Sequence, residues 1–188
     1  WDPLTFLESC PSSDGACSLV LSSEKSVKDN QFPAWIHSAS MRSEPTMYAG
    51  RDAVNPKAGS ECAKDVYEKA GIKDPLKEID CAEIYVPFSW YEPMWLENLL
   101  LAEEGEGWKM TEKGHTSLEG SFPVNMSGGV LSSNPIGASG LLRFGEAAQQ
   151  VRNKAGEYQV EGAKLALGHA FGGGAQFFAM WIVGANKP

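Results

Sequence analysis

The chain has 188 residues, a length that fits one domain of ordinary size with a substantial hydrophobic core. Its formal net charge of −8 at pH 7 argues against binding to nucleic acid or to an anionic membrane surface. Its longest apolar run, residues 177–184, is too short to span a bilayer, and no signal peptide is apparent.

The first strand signals lie near the start of the chain. Residues 1–13 resemble a loop, and residues 16–22 are typical of a short buried strand. A polar, turn-like stretch follows over residues 25–31. Residues 34–40 then alternate as a second strand would, with Trp35, His37 and Ala39 on one face.

The first helix is predicted from Asn55-Pro56, with the asparagine as the cap and the proline at the first helical position. The apolar residues of its buried stripe recur at helical spacing, and Gly71 ends the helix. These residues are Cys62, Ala63, Val66, Tyr67 and Ala70.

A further strand is predicted over residues 81–86. The sequence Ser89-Trp-Tyr-Glu92 has the form of a capping box, which predicts a helix from there through Leu101.

The last elements are one helix and two strands. Asn134-Pro135 repeats the helix start, and Leu141, Phe144, Ala148 and Val151 are expected on one face of that helix. Residues 164–168 and 176–183 are predicted strands joined by a triple-glycine turn. Alternating strands and helices indicate an α/β sheet with crossover helices.

The four cysteines, Cys10, Cys17, Cys62 and Cys81, lack the spacing of a metal site, so no metal is expected. Two disulfides are possible. Because Cys17, Cys62 and Cys81 lie in or beside predicted elements, we favour buried free thiols in a reducing compartment and a cytoplasmic location. The chain opens on Trp1 rather than Met, which indicates a piece of a longer polypeptide or a processed product.

Eight glycines stand beside Ser, Asn and His within residues 124–140 and 166–175. Glycine is used where backbone approaches a ligand closely or turns with positive φ. The final third of the chain therefore predicts a site built largely from backbone amides. A phosphate-binding P-loop is not supported, because its G-x-x-x-x-G-K-[ST] spacing does not occur.

Several segments resemble motifs of the thiolase family. Pro123-Val-Asn-Met-Ser-Gly-Gly129 resembles the P-V-N-P-S-G-G element, and Ser133–Gly140 is similar to the G-H-P-x-G-A-T-G motif. Gly168–Gly174 resembles the closing glycine-rich loop. Ala82–Ser89 with Glu92 is similar to the V-E-V-H-D-C-F-S-x-x-E block of sterol-carrier-type and archaeal thiolases. Cys10–Ala16 resembles the S-D-G-A turn that precedes the last strand of the N-terminal half.

This resemblance implies an α/β, thiolase-like fold, and specifically its C-terminal half, a mixed five-stranded sheet with helices on both faces. It assigns residues 1–31 to the end of the N-terminal half (last strand and connection) and residues 32–188 to the thiolase C-terminal domain. The nucleophilic cysteine of the family would then lie in the missing N-terminal half. We therefore do not expect this chain to be active alone.

The resemblance also implies three catalytic candidates, each with a structural alternative. Asn134 replaces the histidine of the G-H-P motif and could donate to an oxyanion, or it could only cap a helix. Tyr85 stands where the family often has a catalytic histidine, and it could donate, act as a base, or be a packed aromatic. His169 could be a displaced base or a satisfied strand-end histidine.

Other catalytic positions of the family have lost their residues: Val86 and Pro87 replace Asp and Cys, and Ala170 falls where many thiolases have their second catalytic cysteine. The substrate-binding candidates line the glycine-rich segments and the aromatic head of one helix, a cluster that also suits core or interface packing. They are Phe88, Ser127, Gly128, Gly129, Gly137, Gly172 and Gly173.

Three functions follow from the resemblance. The first is a thiolase-like acyl-CoA acyltransferase that performs Claisen or retro-Claisen carbon–carbon chemistry on thioesters. The second is a retro-aldolase that acts on β-hydroxyacyl-CoA through Tyr85, and the third is a non-catalytic thiolase-like subunit of a hetero-complex. The expected partners are acyl-CoA as substrate without a bound cofactor, the missing N-terminal half, a second copy in a homodimer, and a zinc-ribbon/OB-fold subunit.

Overall fold

Four strands form one mixed sheet in the computed structural model, which describes residues 2–28 and 31–188. Their order across the sheet is β1-β4-β3-β2, in which β4 is antiparallel to both neighbours and β2 is parallel to β3. The strands are β1 (Trp35–Ser43), β2 (Cys81–Glu83), β3 (Leu165–Gly172) and β4 (Phe177–Gly184). The helices are α1 (Lys57–Ala70), α2 (Pro75–Glu78), α3 (Tyr91–Asn98), α4 (Gly107–Glu112), α5 (Gly129–Ser132) and α6 (Ile136–Val151).

The predicted α/β class is confirmed, but the predicted count of five strands is wrong for the described residues. A fifth position exists only as a single parallel bridge between Val124 and Ala82. On either side of it, the Ala82 amide donates to the Pro123 carbonyl at 2.9 Å, and the Asn125 amide donates to the Ala82 carbonyl at 2.8 Å. The bridge does not extend, because Pro123 has no amide hydrogen and Asn125 turns the chain with φ 54°. The strand predicted over residues 81–86 is likewise shorter, since β2 ends at Glu83.

Helices cover both faces of the sheet, as predicted. Alternate residues of β4 point to opposite faces: Phe178, Met180 and Ile182 pack in the larger core cluster, whereas Trp181 and Val183 pack in the smaller one. The larger cluster includes α1 and α3, and the smaller one includes α6. The two strands β3 and β4 form the hairpin that the triple-glycine segment predicts.

The strand predicted over residues 16–22 is wrong. The segment has no regular structure and pairs with no strand among the described residues. Val20 is 96% exposed and Leu21 is 72% exposed, so the apolar run that suggested a buried strand has nothing to cover it. The segment touches α6 through Cys17 and Leu19, whose side chains lie beside Gly145, and Cys17 Sγ donates to the Leu141 carbonyl at 3.5 Å.

Both Asn-Pro pairs precede a helix, but neither asparagine side chain caps it. The Asn55 side-chain oxygen accepts from Asn98. The buried amide of Ala58, in the first turn of α1, instead donates to Glu44 Oε1 at 2.7 Å. At the other end Gly71 ends α1 with φ 72°, as expected. In α6 the predicted face is only partly correct, because Leu141 is exposed whereas Arg143, Ala147 and Gln150 are buried with Ala148 and Val151.

The helix predicted from Ser89 begins at Tyr91, ends at Asn98 and has no capping box. The Ser89 hydroxyl donates to Glu8 at 3.1 Å, and Glu92 accepts from Thr111 and Thr116. Ser89 and Glu92, which were expected to form the capping box, therefore make contacts with residues that are distant in the sequence.

All four cysteines are free thiols. Cys62 and Cys81 are buried as expected, and burial raises the pKa of Cys62 to about 11 and that of Cys81 further. Cys10 and Cys17 are half-buried, which corrects the expectation for Cys17. Across residues 2–28 and 31–188, no helix has both the length and the apolar character needed to cross a membrane.

We predict that Gly168→Ala lowers the free energy of unfolding by about 1–3 kcal/mol, because the added methyl group would overlap the indole of Trp181 on β4. Gly172 lies on the same strand with nothing within 4 Å of an added methyl group. The control Gly172→Ala should therefore change stability by less than about 0.5 kcal/mol. Chemical denaturation of the two variants measures the difference, and equal losses would contradict the prediction.

Candidate active site

Tyr85 and Asn134 meet where the segment after β2 approaches the start of α6. The Tyr85 hydroxyl donates to Asn134 Oδ1 at 3.0 Å, and the Ser139 hydroxyl donates to the same oxygen at 2.7 Å. Asn134 is only 3% exposed. The two residues are 49 positions apart in the sequence, so the fold has brought together two of the three predicted catalytic residues.

The Asn134 amide has a defined orientation. Because its oxygen accepts from two hydroxyl groups, its nitrogen points the other way, where Nδ2 donates to Cys10 Sγ at 3.2 Å. A thiol sulfur is a weak acceptor, so this amide N–H remains the strongest donor of the pair for an incoming oxygen atom. The backbone amide of Asn134 donates to the Ser13 hydroxyl at 3.1 Å.

The Tyr85 hydroxyl acts as a hydrogen-bond donor in this structure. Burial raises the pKa of its phenol. The hydrogen bond with Asn134 lowers the pKa, but by less than burial raises it. The Tyr85 carbonyl accepts from Trp95 Nε1 at 2.9 Å, and its ring packs edge-on against Phe171 at 5.1 Å between centroids. These contacts hold the hydroxyl against Asn134.

His169 lies apart from this pair, in the core. It is fully buried, its ring packs against Trp95, Phe171 and Phe178, and neither ring nitrogen has a hydrogen-bond partner among the described residues. Burial lowers the pKa of His169 to about 3. A neutral imidazole without polar neighbours is poorly placed to take a proton from a substrate, so this environment does not favour the base role expected of His169.

The loop of Ser127, Gly128 and Gly129 is anchored by an ion pair between Glu83 and Arg143. Ser127 donates to Glu83 through its hydroxyl at 2.8 Å and through its amide at 3.1 Å. The Arg143 guanidinium contacts the Glu83 carboxylate and donates to the Ser127 hydroxyl at 3.0 Å. Gly128 and Gly129 adopt φ 88° and 57°, so glycine is required for the turn.

Both side chains of this ion pair are buried, with 5% of Arg143 and 1% of Glu83 exposed. Burial raises the pKa of Glu83. The charge of Arg143 and the hydrogen bonds from Ser127 lower it, but they do not cancel the effect of burial. The sequence analysis missed the pair. The sequence does contain a sign of the pair: Glu83 stands inside an apolar strand, and Arg143 stands on an otherwise apolar helix face. Charged residues are rarely buried without a partner, so each of them indicates the other.

The remaining predicted substrate-binding residues lie at two places. Gly137 is exposed in the first turn of α6, beside a groove of about 480 Å³ between residues 13–17 and residues 135–141. Phe88 belongs to a group of stacked aromatic rings. Gly172 ends β3, and Gly173 begins the β3–β4 turn, close in sequence to Phe171 of that group. No cluster of His, Cys, Asp and Glu suited to a metal ion occurs within residues 2–28 and 31–188.

Comparisons with known proteins identify relatives of this chain. A family model described as "Thiolase C-terminal domain-like" matches residues 39–185. The chain is 35% identical to sterol carrier protein 2 of Bos taurus over 98% of its own length and 35% of that protein. It is 31% identical to an acetyl-CoA acetyltransferase of Methanothermobacter thermautotrophicus over 92% of its own length and 45% of that enzyme. The chain thus spans less than half the length of these relatives.

A solved structure of an Ltp2-ChsH2(DUF35) aldolase superposes with a TM-score of 0.81 at 22% identity, covering 98% of this chain and 48% of that one. At this level of identity the likeness supports the fold alone.

Proposed function

Because this chain belongs to the thiolase superfamily, as a C-terminal thiolase-like domain of its sterol-carrier-type branch, we propose that it forms one wall of an acyltransferase active site. The proposed reaction makes or breaks a carbon–carbon bond in an acyl-CoA thioester, with the nucleophilic cysteine supplied by the N-terminal half. The observation that carries the proposal is the oriented Asn134 amide, whose oxygen accepts from two hydroxyl groups and whose nitrogen has only the weakly accepting Cys10 sulfur as its partner.

The proposed role of Asn134 follows from the charge that develops in the cleavage direction. A thiolate attacks the β-carbonyl of the substrate, and the bond between the α- and β-carbons breaks. The electron pair of that bond moves to the oxygen of the departing thioester, which becomes an enolate, and the new acyl group stays on the attacking sulfur. An amide N–H fixed before the reaction stabilises such an oxygen at little cost in reorganisation. The proton that the α-carbon then takes up must come from a group other than Asn134, because an amide does not exchange protons in this way.

Tyr85 and Ser139 are positioning residues in this proposal, since each acts through the Asn134 oxygen. The raised pKa of Tyr85 and its donation to Asn134 weigh against the retro-aldolase alternative, which needs that tyrosine as a base. One experiment distinguishes the proposed acyltransferase from the non-catalytic alternative. After incubation with acyl-CoA, mass spectrometry of the intact full-length protein should show a covalent acyl adduct, which a non-catalytic subunit would lack.

We predict that Asn134→Ala in the full-length enzyme lowers kcat about 100- to 1,000-fold, the usual effect of removing one oxyanion donor. Asn134→Asp should be at least as damaging, because the carboxylate keeps both hydroxyl partners but has no N–H to offer. Steady-state thiolysis assays measure both effects, with Asn186→Ala as the exposed control. Activity within about fivefold of the parent enzyme in Asn134→Asp would refute the role of the amide.

Several expectations about the whole protein remain part of this proposal. We infer an acyl-CoA thioester as substrate with no further bound cofactor, a cytoplasmic location, and homodimerisation. We also propose a hetero-complex with a zinc-ribbon/OB-fold subunit. The name of the neighbouring aldolase structure, which joins Ltp2 to ChsH2(DUF35), supports a complex for that protein without identifying the partner of this chain. Size-exclusion chromatography with light scattering on the full-length protein tests the homodimer.

A further inference from the structure

Cys10 completes the group of side chains around the Asn134 amide. Tyr85 and Ser139 donate to the oxygen of this amide, whereas Cys10 Sγ lies on its nitrogen side, 3.2 Å from Nδ2. Cys10 is a half-buried free thiol. In the part of the chain that the structure describes, it is the one side chain that contacts the amide where its N–H groups are offered.

The main chain around Cys10 is fixed at this place by hydrogen bonds to two distant segments. The Cys10 amide donates to the Pro87 carbonyl at 2.9 Å, in the segment that follows β2. Three residues after Cys10, the Ser13 hydroxyl accepts from the backbone amide of Asn134 at 3.1 Å, at the start of α6. The thiol is therefore held beside the Asn134 amide from both sides.

The Asn134 nitrogen has one more hydrogen than the protein uses. A side-chain amide carries two N–H donors, and Cys10 is the sole partner of Nδ2 within residues 2–28 and 31–188. Asn134 is buried, so its second N–H is a donor without a protein acceptor in a site that is largely closed to bulk water. Such a donor is costly unless an acceptor is supplied, which indicates a ligand oxygen at this position.

Cys10 Sγ and the ligand oxygen would then share one nitrogen atom. Sγ lies 3.2 Å from Nδ2. An oxygen that accepts the second N–H at about 2.9 Å lies about 5 Å from the sulfur. The α-carbon of a thioester is about 2.4 Å from its carbonyl oxygen, by standard bond lengths. This carbon can therefore approach the sulfur to about 3–3.5 Å, the separation of reacting atoms in a productive complex.

We propose that Cys10 exchanges the proton with the α-carbon of the thioester, a step for which the Asn134 amide is unsuited. This inference rests on the proposed function. In the cleavage direction the S–H bond of Cys10 breaks, and the enolate electron pair forms the new C–H bond with its proton. The carbonyl of the departing thioester is restored, and the electron pair of the S–H bond stays on Cys10 as a thiolate. The thiolate then regains a proton from solvent.

A thiol suits this step better than the hydroxyl groups of the site. Thiols titrate closer to neutrality than phenols or alcohols, so they both give and take a proton at working pH. The Tyr85 and Ser139 hydroxyls also occupy the opposite end of the amide, away from the N–H groups. The nearby Glu83 carboxylate is buried in its ion pair with Arg143.

The test follows the exchange of the α-hydrogens of acetyl-CoA with deuterium in D2O, by NMR, in the full-length enzyme. Cys10→Ser should lower both the exchange rate and the kcat of thiolysis about 100-fold or more, since a positioned proton donor contributes about 10²- to 10⁴-fold. The serine hydroxyl still accepts from Asn134, so a role limited to orienting the amide would leave both rates within about fivefold of the parent.

Cys17→Ser is the matched control, because Cys17 is a half-buried thiol of the same segment that donates to Leu141 on α6. Both of its rates should stay within about twofold of the parent enzyme. An equal loss in Cys17→Ser and Cys10→Ser would show that the segment, rather than the Cys10 thiol, is responsible, and it would overturn the inference.

A second measurement separates proton transfer from general damage to the site. Transfer of an acyl group from acyl-CoA to the nucleophilic cysteine moves no proton at the α-carbon. Cys10→Ser should therefore form the covalent acyl adduct at a rate within about tenfold of the parent enzyme. Equal losses in adduct formation and in α-hydrogen exchange would overturn the inference, as would full exchange activity in Cys10→Ser.

These outcomes separate the inference from the proposed function. If exchange depends on Cys10 but the parent enzyme forms no acyl adduct and cleaves no thioester, the proposed reaction fails and the role of Cys10 stands. If thioesters are cleaved but exchange is unchanged in Cys10→Ser, the proposed function stands and the inference fails. Absence of cleavage, adduct and exchange in the parent enzyme rejects both.

Discussion

Replacing Arg143 by methionine should lower the free energy of unfolding by about 3–5 kcal/mol, the cost of leaving a buried carboxylate without its partner. Glu83 would remain 1% exposed with hydrogen bonds from Ser127 alone. The ion pair connects the end of β2 to α6, so the loss should also loosen the Ser127 loop and the contact between Tyr85 and Asn134. Urea denaturation at neutral pH measures the change.

Two further variants show whether the charge is the cause. In the double variant Glu83→Gln/Arg143→Met neither charge of the pair remains, so its loss should be smaller than the sum of the two single losses by about 1 kcal/mol or more. The matched control is Arg42→Met, because Arg42 pairs with Asp65 at the surface with 47% of its side chain exposed. That loss should stay near or below about 1 kcal/mol. Strictly additive losses at Glu83 and Arg143 would show that packing rather than charge is responsible.

The stability of the protein should fall by about 2 kcal/mol between pH 8 and pH 5 because of His169 alone. Burial lowers the pKa of this histidine to about 3 in the folded protein, whereas an unfolded histidine has a pKa of about 6.5. Between these two values the unfolded chain binds the proton and the folded chain does not. Stability is therefore complete above pH 6.5 and declines by about 1.4 kcal/mol per pH unit once the pH is well below 6.5.

The variant His169→Leu removes this titration, so its loss between pH 8 and pH 5 should be smaller than that of the parent protein by about 2 kcal/mol. Comparing the two proteins at both pH values cancels the contribution of the shared carboxylates. His115→Gln is the control, because His115 is half-buried and hydrogen bonded to Ser121, and this variant should retain the contribution of His169. Identical pH profiles for the parent protein and His169→Leu would show that the buried imidazole is protonated as readily as an exposed one.

The local elements were predictable because their signals are local. Gly71 ends α1 in the left-handed conformation that glycine adopts freely, and the alternation around Trp35 and the final hairpin reflect the period of a strand. The two capping errors occur where a side chain has a distant partner. Asn55 accepts from Asn98 rather than capping a helix, and Ser89 donates to Glu8 instead of completing a capping box.

The sequence by itself determined the α/β class, the family and the choice of Tyr85 and Asn134 as candidates, because motif order and residue periodicity are properties of the chain. Only the tertiary structure decided what these residues can do. The Asn134 nitrogen points toward Cys10 because Tyr85 and Ser139 occupy the amide oxygen, and the pKa of His169 is low because the ring is buried in the aromatic core. Likewise, Glu83 and Arg143, 60 positions apart, become partners only when β2 packs against α6. Orientation, burial and proton affinity depend on neighbours that are distant in the chain, and local sequence carries no record of them.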